Sequence, residues 1–382
     1  MDAVSDPWPE GFAEGEANRA ALLVLLSLAA ILPRHLLAAA RRRGTAAACL
    51  DEVRTGRVGS ETDRAMAGEI RPEQVADALA RCEARLVAPG EGEYSAGLDH
   101  LTDPPAGLFV RGRPLDSLVP RVAVVGARNC SPLGRDVAHE IGSGLATGGL
   151  IVVSGGARGI DGASHRGALA GGGPTVAVLG SGIDVPYPSQ HAGLLARITR
   201  DGAVVSEYPP GVPARPFRFP ARNRIIAAIS EAVVVVEGAA GSGSLITADH
   251  ALDLGRPVYA VPGPVNSPLA EVPLSLIREG ATLIRGSADL RADLGRLDPQ
   301  ANSIGGLRPS VGMPGNLTSV ERAVLDALSG STLPDQLARS MGLGLTEVLP
   351  ILTDLELRGL VRTVGGRVER RLFHEPQEPV GR

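Results

Sequence analysis

Between Ala214 and Arg224 the sequence ARPFRFPARNR sets four arginines, Arg215, Arg218, Arg222 and Arg224, with no acid among them. A guanidinium is a planar fork of donors that stays charged and matches phosphate oxygens two at a time. After a continuous apolar run, Ser242, Gly243, Ser244 and Thr247 then stand where a helix begins. Backbone N–H groups at such a start, with hydroxyls beside them and the helix dipole behind, form an anion site that needs no lysine. Together the two segments read as a composite phosphate cradle.

Three further turns extend it. The first, VGARNCSPLG, carries Gly126 and Arg128. It has one glycine where the dinucleotide fingerprint wants three, and the next strand ends VVSGG with no acid for a ribose, so a nicotinamide dinucleotide is a weak match. The second, SGGARGIDGASHRGAL, offers Ser154, Gly155 and Gly156 for close backbone approach, Arg158 as a donor fork, and Asp161 as a cap for the following helix. His165, one turn further, has no nucleophile or metal partner fixed to it in sequence and reads as a packing histidine. The third, GSGIDVPYPSQH, adds Tyr187; with Tyr208, Phe217 and Phe219 it makes up the supply of base-stacking side chains near these turns.

These residues need a scaffold that brings strand ends together. From Arg121 onward short apolar strands, RVAVVG, LIVVSG, TVAVLG, AVVSEY, AVVVVEG, PVYAVPG and ATLI, alternate with helix-length segments. Strands without polar alternation are buried on both faces, which predicts a parallel sheet flanked by helices, with its ligand crevice at the carboxyl ends. Residues 1–15 read as a disordered acidic lead-in and 16–80 as an N-terminal helical domain broken at Pro33. Residues 81–290 are the sheet domain, 291–316 a Gly/Pro/Asn-rich linker, 317–374 three helices and a hairpin forming a winged helix, and 375–382 a tail.

Composition narrows the chemistry. All 38 basic residues are arginine, because the 382-residue chain contains no lysine. That excludes a Walker A phosphate loop, a pyridoxal Schiff base and a lysine general base. A net charge of −4 argues for a local grip on a polyanion, not a basic surface throughout. Cys49, Cys82 and Cys130 are widely spaced with no CxxC, so neither a disulfide framework nor a metal site is expected, and a reducing cytoplasm fits. The apolar run Ala20–Leu32, about 13 residues, is too short to span a bilayer, so no membrane role is expected.

The motifs VVGARN, SGGARGIDGASHRGAL, AVLGSGIDVPYPSQ, VVSEYPPG, FPARNRIIAAIS, VVVVEGAAGSGSLITADHAL, GRPVYAVPG and LIREGA, in this order, resemble the DNA-processing protein A (DprA/Smf) family over about residues 85–290. The resemblance implies an extended Rossmann-like domain between an N-terminal helical (SAM-like) domain and a C-terminal winged helix. It implies binding of single-stranded DNA during natural transformation, loading of the RecA recombinase, a homodimer, and no catalysis or cofactor. Carried over residue by residue, it implies DNA contact by Arg128, Ser154, Gly155, Arg158, Arg222, Asn223, Arg224 and the Ser242–Thr247 turn. Gly126, Gly156, Arg215 and Arg218 complete the candidate set. Pro216 stands where the family often has a lysine, AAILPRHLL replaces an N-terminal Gly-hydrophobic-Gly hairpin, and NSPLAEVPLSLIREGA departs from the usual Gly-containing form.

Two rivals come from other classes. A phosphoribohydrolase-like enzyme or nucleotide sensor would use a similar sheet, but it carries PGGxGTxxE, whereas GSGSLITADH has no glutamate at that spacing and Asp249 is its first acid. A winged-helix regulator reading duplex DNA would need a basic recognition helix. LTEVLPILTDLELRG instead carries Glu347, Asp354 and Glu356 against Arg358, although Arg362, Arg367, Arg370 and Arg371 lie in the wing.

Overall fold

The computed structural model describes residues 8–28, 31–297, 318–328, 332–357, 360–364 and 367–370, and the chain divides into two compact units at Ala288/Asp289. The first unit begins with five helices, α1 (Glu16–Leu26), α2 (Pro33–Arg43), α3 (Ala46–Arg54), α4 (Glu61–Glu69) and α5 (Pro72–Arg81). Their ends follow from local chemistry: Pro33 and Pro72 open α2 and α5, Thr45 caps α3 by accepting from Ala48 N, and Ser60 and Asp63 form a capping box on α4.

A nine-stranded sheet comes next among the described residues. Its strands are β1 (Ala84–Val87), β2 (Leu108–Gly112), β3 (Arg121–Val125), β4 (Ile151–Ser154), β5 (Thr175–Leu179), β6 (Ala203–Ser206), β7 (Ala232–Val235), β8 (Val258–Ala260) and β9 (Thr282–Leu283). The spatial order is β1-β2-β6-β5-β4-β3-β7-β8-β9. β3 to β9 are mutually parallel, as the unbroken apolar runs require, whereas β1 and β2 add two antiparallel strands beyond β6. The helices between the strands are α6 (Pro132–Thr147), α7 (Ile160–Ala170), α8 (Ala192–Asp201), α9 (Arg218–Ala228), α10 (Gly243–Asp253) and α11 (Glu271–Arg278), and α12 (Ser287–Leu297) comes after β9. The strand order reverses at β3: β4, β5 and β6 lie to one side, β7 returns on the other, and the crevice of such a sheet opens there.

Three boundaries differ from the sequence reading. Trp8 and Phe12 are buried, with ring centroids 4.7 Å apart, so 8–15 is packed chain instead of a disordered lead-in; 1–7 lie outside the described residues. The reason is that two large aromatics outweigh the acidic composition around them. Those rings, the α1–α3 leucines and the sheet residues Val178 and Val205 also share one core cluster, so no gap in packing separates the 16–80 helices from the sheet domain. Residues 291–297 are the end of α12, while 298–316 and the tail 375–382 lie outside the described residues.

The second unit holds α13 (Ser319–Ala327), α14 (Pro334–Met341), α15 (Leu345–Leu357) and the hairpin β10 (Val361–Val364) and β11 (Arg367–Arg370). Val324, Leu337, Val348, Leu355, Val361 and Val368 form its own core, and Thr332 bridges to Val368 to complete a winged helix.

Candidate nucleic-acid interface

All the sequence-selected residues gather at the carboxyl edge of the parallel strands or on the helices that start there, but burial sorts them into two groups. Arg128, Arg158 and Arg215 are exposed, and among the described residues none of them forms an ion pair. Arg128 follows β3, Arg158 lies in the β4–α7 turn, and Arg215 precedes α9. The Arg128 guanidinium lies 4.6 Å above the Phe219 ring, which in turn packs 5.0 Å from Tyr187. Arg218, half-buried, donates to the Pro213 carbonyl at 2.6 Å and stands 4.5 Å over Tyr208 and 5.6 Å over Phe217. Phe217 is 65% exposed and Tyr187 45%, so both rings are partly open to solvent. Such rings hold bases by stacking without reading sequence.

Arg222 and Arg224 belong to the other group. Arg222 is 4% exposed; its Nη1 donates to the Val178 carbonyl at 2.9 Å, its Nη2 lies 3.9 Å from Asp161, and its Nε has no partner. Burial pulls its pKa down to about 10, despite the Asp161 charge. Arg224, 3% exposed, grips Glu207 with two nitrogens at 2.7 and 3.0 Å and the Asp103 carboxylate with Nε at 3.1 Å. Burial works against its cation, but Glu207 and Asp103 outweigh that and raise the pKa. The sequence segment held no acid because the acids come from elsewhere: Asp103 precedes β2 and Glu207 follows β6. Neither guanidinium therefore faces outward. Asn223 Nδ2 donates to the Gly243 carbonyl at 2.9 Å and ties α9 to the start of α10.

The glycine turns also do something other than open the backbone to a ligand. Ser154 Oγ donates to the Val124 carbonyl at 2.6 Å, a rung between β4 and β3. Gly155 is glycine because a Cβ there would lie 1.7 Å from Arg222 Nη1. Its N–H and that of Ala157 both point at Asp161 Oδ2, at 3.2 and 3.4 Å. Asp161 thus bonds back to the turn before α7 in place of capping α7's own first turn, whose cap position is Gly159. Gly156 takes a φ of +64°, and its carbonyl accepts from His191 Nδ1 at 2.9 Å. Gly126 is held just as tightly, since a Cβ would lie 2.7 Å from Ile160 and 2.8 Å from the Glu237 carbonyl.

His165 is fully buried. Thr175 Oγ1 donates to the Val152 carbonyl, so it accepts from His165 Nδ1–H at 2.8 Å; burial pushes the imidazole pKa down to about 3 and keeps it neutral.

At α10, Ser242 is the N-cap, its Oγ accepting from Ser244 N at 3.3 Å and pairing with Ser244 Oγ at 2.8 Å. Thr247 Oγ1 donates to the Gly243 carbonyl at 3.3 Å. Gly243 is exposed and Ser242 half-buried, so this helix start faces outward with only hydroxyls at its cap.

Sequence reasoning missed Glu237. Its carboxylate accepts from Ser131 N at 2.9 Å and Ser131 Oγ at 2.6 Å, over the first turn of α6. The only signal was an acid directly after the apolar run of β7. Glu207 and Asp103 gave no local signal.

Known proteins agree on the kind of molecule this is. Residues 85–295 match the family model "DNA recombination-mediator protein A", and residues 309–367 match "DprA winged helix domain". A putative DNA processing protein DprA of Mycobacterium tuberculosis is 39% identical over 336 residues, covering 83% of this chain and 85% of that protein. The X-ray structure of DprA from Streptococcus pneumoniae superposes with a TM-score of 0.63 at 33% identity, covering 73% of this chain and 98% of that one. A structure of DprA from Helicobacter pylori, described for its single-stranded DNA binding mode, gives a TM-score of 0.51 at 26% identity, covering 56% of this chain and 95% of that one.

Proposed function

Because the chain belongs to the DNA recombination-mediator protein A (DprA/Smf) family, we propose that it binds single-stranded DNA along the carboxyl edge of its sheet domain, within residues 81–290. What supports this is that Arg128, Arg158 and Arg215 are exposed on the segments that follow β3, β4 and β6, and that the start of α10, which follows β7, is outward-facing and hydroxyl-capped. Successive phosphates would lie on these groups, and bases on Tyr187 and Phe217. Arg222, Asn223 and Arg224 serve this site from beneath: their contacts to Val178, Asp161, Gly243, Glu207 and Asp103 set where α9 and the turns stand. Arg218, pinned to Pro213 and Tyr208, orients the loop that carries Arg215 and Phe217.

The family resemblance supports the rest of the reading. The protein acts in the cytoplasm on incoming DNA in natural transformation, works as a homodimer, and hands the strand to RecA with no reaction of its own. Among the described residues no helix is long and apolar enough to cross a membrane.

The test is binding of an oligonucleotide, single- and double-stranded, across a salt series, with RecA filament formation followed in parallel. If about four phosphates are neutralised, log K against log salt has a slope of roughly −3 for a single strand. A slope near zero, or equal affinity for duplex, refutes the binding mode; normal strand binding with no effect on RecA removes only the loading step.

A further inference from the structure

We infer that the exposed face of α15, in the second unit, is a docking surface for a cationic amphipathic segment of a protein partner. The helix, LTEVLPILTDLEL, carries Glu347, Asp354 and Glu356 and no arginine. At 3.6 residues per turn, Leu345, Leu349 and Thr353 follow one another along one line of it, with Thr346 and Pro350 beside them. All five are exposed, Leu345 at 43% and Leu349 at 44%. The adjacent line, Val348, Leu352 and Leu355, is the one buried in the core of the unit. Two leucines one turn apart are therefore left over from that core and face water.

Charge selects the occupant. By the same helical spacing, Glu356 continues the leucine line at its C-terminal end, and Glu347 lies on the edge away from the core, next to Pro350. Glu356 accepts from Thr363 N at 2.7 Å and Thr363 Oγ1 at 3.0 Å, and Glu347 accepts from Gly344 N at 2.7 Å. These donors are neutral. Both carboxylates are exposed, and among the described residues neither forms an ion pair. Arg339, on α14, is already paired with Asp335.

A nucleic-acid duplex laid on this helix meets carboxylates where its phosphates need cations. A partner helix with apolar residues at i and i+3 or i+4, and basic residues around them, sets its apolar side chains on Leu345 and Leu349 and its cations on Glu347 and Glu356. The third helix of this winged helix thus has the chemistry of a peptide-binding face, with its specificity set by two leucines and two carboxylates.

The experiment follows the fluorescence anisotropy of a labelled helical peptide, leucine along one face and arginine on the rest, as full-length protein is added. A scrambled peptide of the same composition, which breaks the leucine face, and a labelled duplex oligonucleotide are run beside it. Wild type is expected to bind the amphipathic peptide more tightly than the scrambled one, and less tightly as salt is raised. Leu345→Ser/Leu349→Ser is expected to weaken that binding at least about tenfold with unchanged thermal unfolding. Glu347→Gln/Glu356→Gln keeps the hydrogen-bond acceptors and is expected to weaken binding and flatten its salt dependence. The inference is overturned if wild type binds the two peptides equally or not at all, or if either variant binds as wild type does, because the cations are then held elsewhere on the chain. It is also overturned if the double-serine variant loses duplex binding, since the helix is then a groove reader. If that variant does not fold, the glutamine variant decides alone.

Discussion

Replacing Gly155 with alanine tests the central packing arrangement of the crevice. The added Cβ would sit 1.7 Å from Arg222 Nη1 and 2.1 Å from its Cζ, so the guanidinium must leave its place. Leaving breaks the 2.9 Å bond to the Val178 carbonyl, and a charged hydrogen bond is worth about 1.5–3 kcal/mol. It also strands Asp161: at 3.9 Å the attraction is about 4 kcal/mol at an effective dielectric of about 20. Against this, the expelled arginine regains water, and Asp161, whose pKa burial already raises, can take up a proton. The net expectation is a loss of roughly 3–5 kcal/mol, the range for breaking one side of a buried pair, or a melting-temperature drop on the order of 10 °C. The assay is urea unfolding of Gly155→Ala, Arg222→Met and the double variant. Once Arg222 is methionine the clash is relieved, so Gly155→Ala added to it should cost less than about 1 kcal/mol. A Gly155→Ala protein within about 0.5 kcal/mol of wild type, or equal costs in both backgrounds, would refute the reasoning.

The same geometry sets other expectations. Arg128→Ala and Arg158→Ala should each weaken single-strand binding by about 1.5–3 kcal/mol and flatten the salt slope by about 0.7, with unchanged unfolding midpoints. Arg224→Met should leave the largely enclosed Glu207 without its partner and destabilise by roughly 3–5 kcal/mol, and adding Glu207→Gln should recover part of that in denaturant titrations. The His165 imidazole is held at about 3, below its ordinary 6.5, so on acidification the unfolded chain takes up a proton that the folded chain refuses. Stability should accordingly fall as pH drops from 6.5 towards 3, by up to about 1.4 kcal/mol per unit, and His165→Asn should flatten that limb in pH-dependent unfolding. Arg222→Met should raise the Asp161 pKa further, so its deficit against wild type should be largest near neutral pH and shrink as Asp161 protonates.

What the sequence determined by itself was whatever is written locally. Apolar runs without polar alternation specify strands buried on both faces, glycines and serines at their ends specify turns, and the order of the motifs specifies the family. The tertiary structure decided which of the chosen residues are free. Arg224 lies 121 positions from Asp103 and Glu237 lies 106 from Ser131, and no window of sequence reveals such pairings. In the segment from Arg215 to Arg224, spacing alone could not show that Arg215 faces water while Arg222 is buried against a carbonyl and Arg224 against two carboxylates. Burial makes that choice: a guanidinium taken out of water must find an anion or a carbonyl, and which one it finds depends on how the sheet folds.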